Sequence, residues 1–236
     1  MNAKEIQKKL KQLANPKKAK DLQKYFKTAK GEYGEGDIFL GIPVPDLRKE
    51  AKLYKTLPLL EIQKLLNSSL HEERQLALFI LVLQYTKAEE SKKKEIYHFY
   101  LKHTEHINNW DLVDSSAHYI VGAYLFDKKR DILYKLARSK SLWERRIAMM
   151  SCFYFIKQND YSDALAIAEL LLEDKEDLIH KAVGWMLREI GKNDKAEEEA
   201  FLKKWYSKMP RTMLRYAIEK FPEKERKAYL QKIIPD

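Results

Sequence analysis

The residues Ala77, Val113, Ala148, Val183 and Ala217 recur along the chain at a spacing of roughly 35 residues, within the range of helical-hairpin repeats. Their surroundings are alike. Gln75-Leu76-Ala77-Leu78, Arg146-Ile147-Ala148-Met149 and Lys181-Ala182-Val183-Gly184 each place a basic or polar residue ahead of small and apolar ones. One hairpin of this length cannot bury its apolar stripe alone, so it must stack on its neighbours. The recurrence therefore predicts stacked hairpins from residue 46 to 236, each a first helix, a short turn and a longer second helix. Five or six such hairpins fit the length. Only seven Gly and seven Pro occur in 236 residues, and no alternating β-branched run bounded by turn residues suggests a strand. The expected fold class is all-α.

Stacking of this kind gives an α-solenoid of HEAT-like repeats, whose second helices build a concave face. With 45% hydrophobic residues, residues 1–236 suffice for one continuous domain. Residues 1–45 form its basic N-terminal helices and loop. The segment 1–30 carries ten lysines against Glu5 and Asp21. Ile6, Leu10 and Leu13, then Leu22, Tyr25 and Phe26, recur at helical spacing, which predicts two short helices broken at Asn15-Pro16. The lysines form either a solvated face or one that tracks phosphates, and the aromatic pair Tyr25-Phe26 within the run favours the second. Gly31-Glu32-Tyr33-Gly34-Glu35-Gly36-Asp37 is a loop. No strand precedes it, no GK[ST] follows, and acids line it, which excludes a phosphate cradle. Phe39-Leu40-Gly41-Ile42-Pro43-Val44-Pro45 then leads to a helix from about Asp46.

The net charge of +10 favours a polyanionic partner, because Lys and Arg on one face release counterions from a phosphate backbone. A merely basic soluble protein has the same balance. The one cysteine, Cys152, lies among apolar neighbours, so neither a disulfide frame nor structural zinc is expected, and no cofactor. The start MNAKEIQKKLKQL lacks the apolar region of a signal peptide, and no run reaches membrane-spanning length. A cytoplasmic protein with no membrane partner is expected.

The stretch from Asn108 to Ser116 carries the chemistry. It predicts a helical run to about Phe126, with Asn at the cap and acids in the first turns. Trp110 and Asp114 are four apart and share one helix face. Arg145 and Arg146 lie near the start of the next equivalent helix, and Trp185 and Arg188 on the one after, so the repeat places this set on one concave surface. Indole faces and a carboxylate attract a cation, while Lys and Arg suit phosphates. DNA alkylated at a purine ring nitrogen has both properties. Breaking its N-glycosidic bond builds positive charge on the sugar, which a carboxylate stabilises while it orients or deprotonates water. Blander readings stand beside these. Asp114 suits the helix dipole, Trp185 beside Gly184 fills a core, and Trp143 in a turn packs between repeats. Asp111 neighbours the cap and reads as structural. His118, one turn beyond Asp114, either orients it or is simply partly buried. The six histidines form no triad with Ser115 or Ser116.

Several segments resemble one known family: Lys24-Tyr25-Phe26-Lys27, Phe39-Leu40-Gly41-Ile42 with Pro45, Trp110-Asp111-Leu112-Val113-Asp114, Leu142-Trp143-Glu144-Arg145-Arg146, and Lys181-Ala182-Val183-Gly184-Trp185-Met186-Leu187-Arg188-Glu189. Over most of its length the chain resembles the AlkD-like DNA alkylation-repair proteins, HEAT-like-repeat DNA glycosylases. The resemblance implies excision of 3-methyladenine and 7-methylguanine from double-stranded DNA, with the lesion left in the stack. It makes Asp114 the catalytic carboxylate, Trp110 and Trp185 the aromatic walls, and Tyr25 a supporting aromatic. Arg146 is implied as the phosphate contact, although helical phase does not separate it from Arg145. Arg188 and Lys27 complete the DNA-contacting set. A monomer, nucleoid-associated when bound to DNA, is expected. The loop at 31–37 and the small residues after Asp114 depart from the family pattern. Branches of the superfamily bind branched or distorted DNA without excision, and helical solenoids also serve as protein scaffolds; both remain alternatives.

Overall fold

The computed structural model describes residues 2–231. The chain divides into two compact units, Met1–Ile120 and Val121–Asp236. Among the described residues every regular element is helical, and the only β pairing is an isolated bridge between Ile38 and Leu70.

The first unit opens with α1 (Ala3–Gln12), started by a reciprocal cap between Asn2 and Glu5, and buries Ala3, Ile6 and Leu10 on one face. Helix α2 (Pro16–Tyr25) begins where expected, with Pro16 in its first turn and the Asn15 side chain accepting from the Lys18 N–H at 3.1 Å. None of its ten residues is buried. Next come α3 (Val44–Leu53), α4 (Leu59–Leu66), α5 (His71–Lys87) and α6 (Glu90–Lys102). A 3₁₀ turn at Thr104–His106 leads to α7 (Trp110–Asp114). Helix α3 starts two residues earlier than Asp46, because Pro45 fits the first turn and needs no backbone donor there. Helix α5 is the hub, packed against α3, α4, α6 and α7. Every residue from Leu76 to Leu81 is buried, so this helix is apolar on all sides and belongs in an interior.

The second unit contains α8 (Ala123–Leu125), α9 (Asp131–Ala137), α10 (Leu142–Ile156), α11 (Ser162–Leu170), α12 (Asp177–Asn193), α13 (Lys195–Trp205), α14 (Arg211–Ala217) and α15 (Glu223–Gln231). Helix α9 packs on α10 and α11 on α12, and α12 lies against both α10 and α14. Gly184 permits the last contact, since a Cβ there would overlap the Met213 carbonyl oxygen. Arg130 ties the unit laterally: its Nη1 reaches Asp160 and Asp163, each at 2.7 Å, and its guanidinium lies 3.9 Å from the centre of the Phe155 ring. Cys152 is fully buried.

Ala77, Val113, Ala148, Val183 and Ala217 are all fully buried, on α5, α7, α10, α12 and α14. The recurrence marks where second helices meet their neighbours. Two of these helices are short, α7 with five residues and α14 with seven, so the second helix is not always the longer one. The continuous helix expected to Phe126 is also interrupted. Helix α7 ends at Asp114, and a π turn covers His118–Gly122 before α8. The Ser116 hydroxyl donates back to the Leu112 carbonyl at 2.5 Å, a local bond that competes with the helical ladder. Trp143 is the second residue of α10, not part of a turn. Among the described residues, no helix is long and apolar enough to cross a membrane, and no group of three or more His, Cys, Asp or Glu could hold a metal ion.

Candidate functional site

Helix α7 is too short to persist by its own hydrogen bonds, so its neighbours must hold it. Asn109 caps it, accepting from the Trp110 N–H at 2.8 Å, and is itself fully buried. The half-buried Trp110 ring stacks on Phe26, with centroids 5.1 Å apart and planes 9° apart, and meets Tyr25 edge-on at 6.1 Å. Phe26 in turn packs on Phe39 at 4.8 Å, and Phe39 stacks on the His71 ring at 4.3 Å. Tyr25 is 66% exposed, so a large aromatic edge faces solvent beside Trp110. Asp114, one turn after Trp110, is half-buried. Its charge acts on the fully buried Tyr100 phenol, whose pKa is pushed up by burial first and by Asp114 as well. The Tyr100 hydroxyl shares a 2.9 Å hydrogen bond with Ser116 Oγ.

Beneath this helix lies a buried polar cluster. His71 Nδ1 meets Asp37 Oδ2 at 2.7 Å and Nε2 meets Asp111 Oδ2 at 2.8 Å, so both ring nitrogens face carboxylate oxygens. Burial disfavours the charged ring, but Asp111 and Asp37 outweigh it and raise the pKa to about 9. The imidazolium therefore donates to both acids at neutral pH. Arg74 Nη2 donates to Asp37 Oδ1 at 2.7 Å, Asn109 Nδ2 to Asp37 Oδ2 at 3.0 Å, and Gln75 Nε2 to Asp111 Oδ2 at 2.7 Å. Burial pushes the Asp37 carboxyl upward, yet His71 and Arg74 prevail and leave it below its ordinary value.

The adjoining Glu72 is also buried, and its carboxylate accepts three backbone N–H groups: Leu40 at 2.8 Å, Gly41 at 2.7 Å and Ile42 at 3.2 Å. Gly41 has φ +81°, and a Cβ there would overlap the Asn15 carbonyl oxygen, so both backbone and space demand glycine. A cavity of about 300 Å³ opens beside these groups, lined among others by Leu22, Phe26, Phe39, Ile42, His71 and Asp111. The loop acids expected to discourage phosphate serve the loop itself. Glu32 accepts from the Ala29 N–H at 3.0 Å and Glu35 from the Gly31 N–H at 2.8 Å.

Of the residues singled out in the sequence, Tyr25, Lys27, Trp110 and Asp114 belong to the first unit. Tyr25 and Trp110 are in ring contact, and Lys27 is exposed in a left-handed conformation with φ 51°. Arg145, Arg146, Trp185 and Arg188 belong to the second unit. Arg145 binds Asp174 through Nε at 2.6 Å, and its Nη1 donates to the carbonyls of Ser139 and Lys140. Arg146 is buried and donates to the Leu178 carbonyl. Adjacent in sequence, these two arginines turn to different partners. Trp185 is half-buried, donates its indole N–H to Glu189 at 2.9 Å and lies 6.1 Å from the Phe153 ring. Arg188 pairs with Glu219 and reaches Glu189 at 3.6 Å, so Trp185 and Arg188 share one carboxylate.

Sequence reasoning missed Asp37, His71, Glu72 and Arg74, and it gave Asp111 only a structural place beside the cap. The signal was the run His71-Glu72-Glu73-Arg74-Gln75 directly before Leu76–Leu81. A helix that is apolar all round lies in an interior, so its polar head is buried too and must find partners.

The model of a family described as DNA alkylation repair enzyme matches residues 6–221. No curated protein matches the chain. Solved structures share the fold. One, described as a predicted DNA alkylation repair enzyme from Enterococcus faecalis, superposes with a TM-score of 0.71 at 18% identity, over 89% of this chain and 97% of that one. AlkD2 from Streptococcus mutans gives 0.56 at 21% identity, over 88% and 98% of the two chains. The protein smu.31 from Streptococcus mutans UA159 gives 0.55 at 20%, over 91% and 100%. At such identities the likeness is one of fold, an AlkD-like arrangement of helical repeats.

Proposed function

The chain belongs to the DNA alkylation repair enzyme family, and from that premise we propose that it excises cationic alkylated purines from double-stranded DNA by hydrolysing their N-glycosidic bonds. The substrates are 3-methyladenine and 7-methylguanine, taken without turning the base out of the stack. One observation carries this reading. Trp110 and Asp114 lie one turn apart on α7, with Trp110 backed by Phe26 and edged by the exposed Tyr25. Aromatic surface beside a carboxylate attracts a cationic base and the cationic sugar that forms as the base departs.

In the reaction the bond from C1′ to the base nitrogen breaks, and its electron pair cancels the positive charge of the alkylated ring. The base leaves neutral and needs no acid to protonate it. Asp114 stabilises the developing oxocarbenium charge, orients water toward C1′ and takes the proton as the new C–O bond forms. Trp110 meets the cationic base, and Trp185 supplies a further aromatic contact to DNA. Lys27, Arg188 and one of Arg145 and Arg146 hold the phosphates, which demands that Arg188 leave Glu219 and that either Arg145 leave Asp174 or Arg146 leave Leu178 for DNA.

The test is release of free base from methylated duplex DNA at one stated salt concentration, wild type beside Asp114→Asn. Release by the wild type, lost in the variant with DNA affinity kept, is the expected outcome. Release at the wild-type rate by Asp114→Asn refutes the catalytic assignment. Release by neither protein, with tight and steeply salt-dependent binding to branched DNA, moves the chain to DNA recognition without excision.

A further inference from the structure

We propose that Asp37, His71 and Asp111 are positioning residues for base excision, a carboxylate–histidine–carboxylate clamp that sets where α7 presents Trp110 and Asp114. The proposal rests on the function assigned above and adds the residues that fix its geometry.

Helix α7 has five residues, too few for its own ladder to hold it in place. Two successive anchors are tied to the cluster instead. The buried cap Asn109 donates to Asp37, and Asp111 accepts from both His71 and Gln75 of α5. Trp110, between them, leans on Phe26, and Phe26 lies 5.2 Å from the His71 ring. His71 thus meets the loop carboxylate, the helix carboxylate and the aromatic stack. Asp37, the last residue of the loop at 31–37, closes the clamp from the loop side.

The charges balance as a unit, His71 and Arg74 against Asp37 and Asp111. Other charged groups near His71 are Glu72, already engaged with three backbone N–H groups, the buried Glu73 of α5, which accepts from Gln7 at 2.7 Å, and Lys18 and Asp21 of α2, which line the same cavity. A neutral imidazole has only one N–H. On losing its proton, His71 keeps one carboxylate and turns a lone pair toward the other, and the clamp opens on one side. The pKa of His71 is raised above that of the unfolded chain. Its stabilising contribution is therefore complete below about pH 6.5 and is lost as pH rises through about 9. A shift of α7 by about 1 Å would cost on the order of a hundredfold in rate.

Two readouts test this between pH 6 and 10. One is Trp110 emission, isolated by difference from a Trp110→Phe protein. The other is single-turnover base release, corrected for the uncatalysed rate. We expect both to change with a common midpoint near 9 in the wild type. In Asp111→Asn, His71 keeps a single carboxylate, and the emission midpoint moves down toward the ordinary histidine value. A loss of packing alone would not move a midpoint. In His71→Gln both transitions vanish, and base release at neutral pH falls at least tenfold with DNA affinity kept within about threefold, the signature of misplacement rather than lost binding. Asp111→Asn keeps the test available if His71→Gln does not fold. A wild-type emission with no transition near pH 9, or a midpoint unmoved in Asp111→Asn, refutes the clamp. An emission transition that base release does not follow refutes its positioning role. Absence of base release at every pH, with the emission transition present, refutes the glycosylase function itself and so separates the two failures.

Discussion

Replacing Glu72 by Gln alters one buried polar end and should be among the most damaging isosteric changes available to the first unit. The carboxylate is 1% exposed and satisfies three amides, Leu40 through Oε2 and Gly41 and Ile42 through Oε1. In the better amide orientation the oxygen keeps Gly41 and Ile42, but as a neutral acceptor, which weakens each bond by about 1 kcal/mol. The amide nitrogen then faces the Leu40 N–H, donor against donor, and leaves that buried group unsatisfied at a cost of about 1–3 kcal/mol. The expected loss is about 4 kcal/mol, which corresponds to a fall of roughly 8–16 °C in Tm. Urea unfolding followed by Trp110 emission measures the loss, and amide exchange of Leu40, Gly41 and Ile42 locates it. Because Phe39 immediately precedes these amides and packs on Phe26, the Trp110 stack should loosen as well. A loss below about 1 kcal/mol, or exchange at the three amides as slow as in the wild type, would refute the reasoning.

Cys152 is fully buried and burial pushes its thiol pKa up, so a thiol reagent should leave the native protein unmodified and react promptly only in denaturant; fast native labelling would contradict the packing. Glu198 is buried under Gly191, and burial first, with Glu199 beside it, raises its pKa to about 8. The native state keeps this proton while the unfolded chain gives it up above about pH 4.5, so stability falls as pH rises from there toward 8. Glu198→Gln should flatten that decline and raise Tm at pH 8.5, with little change near pH 4.5; a slope equal to the wild type's would show that the carboxyl is not the cause.

The parts of the fold legible in the sequence were those set by local rules. The Asn15-Pro16 break needs only a cap and a ring that fits a first turn, and the small residues from Ala77 to Ala217 mark helix contacts that recur because the hairpins do. The aromatic and acidic pair on α7 was legible for the same reason, since four residues make one turn. What stayed hidden depends on pairing at a distance. Asp37, His71 and Asp111 are 34 and 40 residues apart in their contacts, and nothing in a hydrophobic period says which buried acid meets which buried base. The early end of α7 was hidden because it turns on one serine hydroxyl bonding backward, a choice that composition does not reveal. Trp143 was misplaced by one boundary, where Ser141 caps α10.

Helix α2 buries none of its ten residues and is held at its ends, where the Asn15 N–H donates to the Leu40 carbonyl at 2.8 Å and Phe26 enters the aromatic stack. Its outward positions are therefore free for chemistry of the experimenter's choosing. A cysteine placed at Lys20 would be the chain's one reactive thiol without any need to remove Cys152, which is sealed in the other unit. A single dye there would sit on the most basic stretch of the molecule, where energy transfer from a labelled duplex can time the arrival of DNA one molecule at a time.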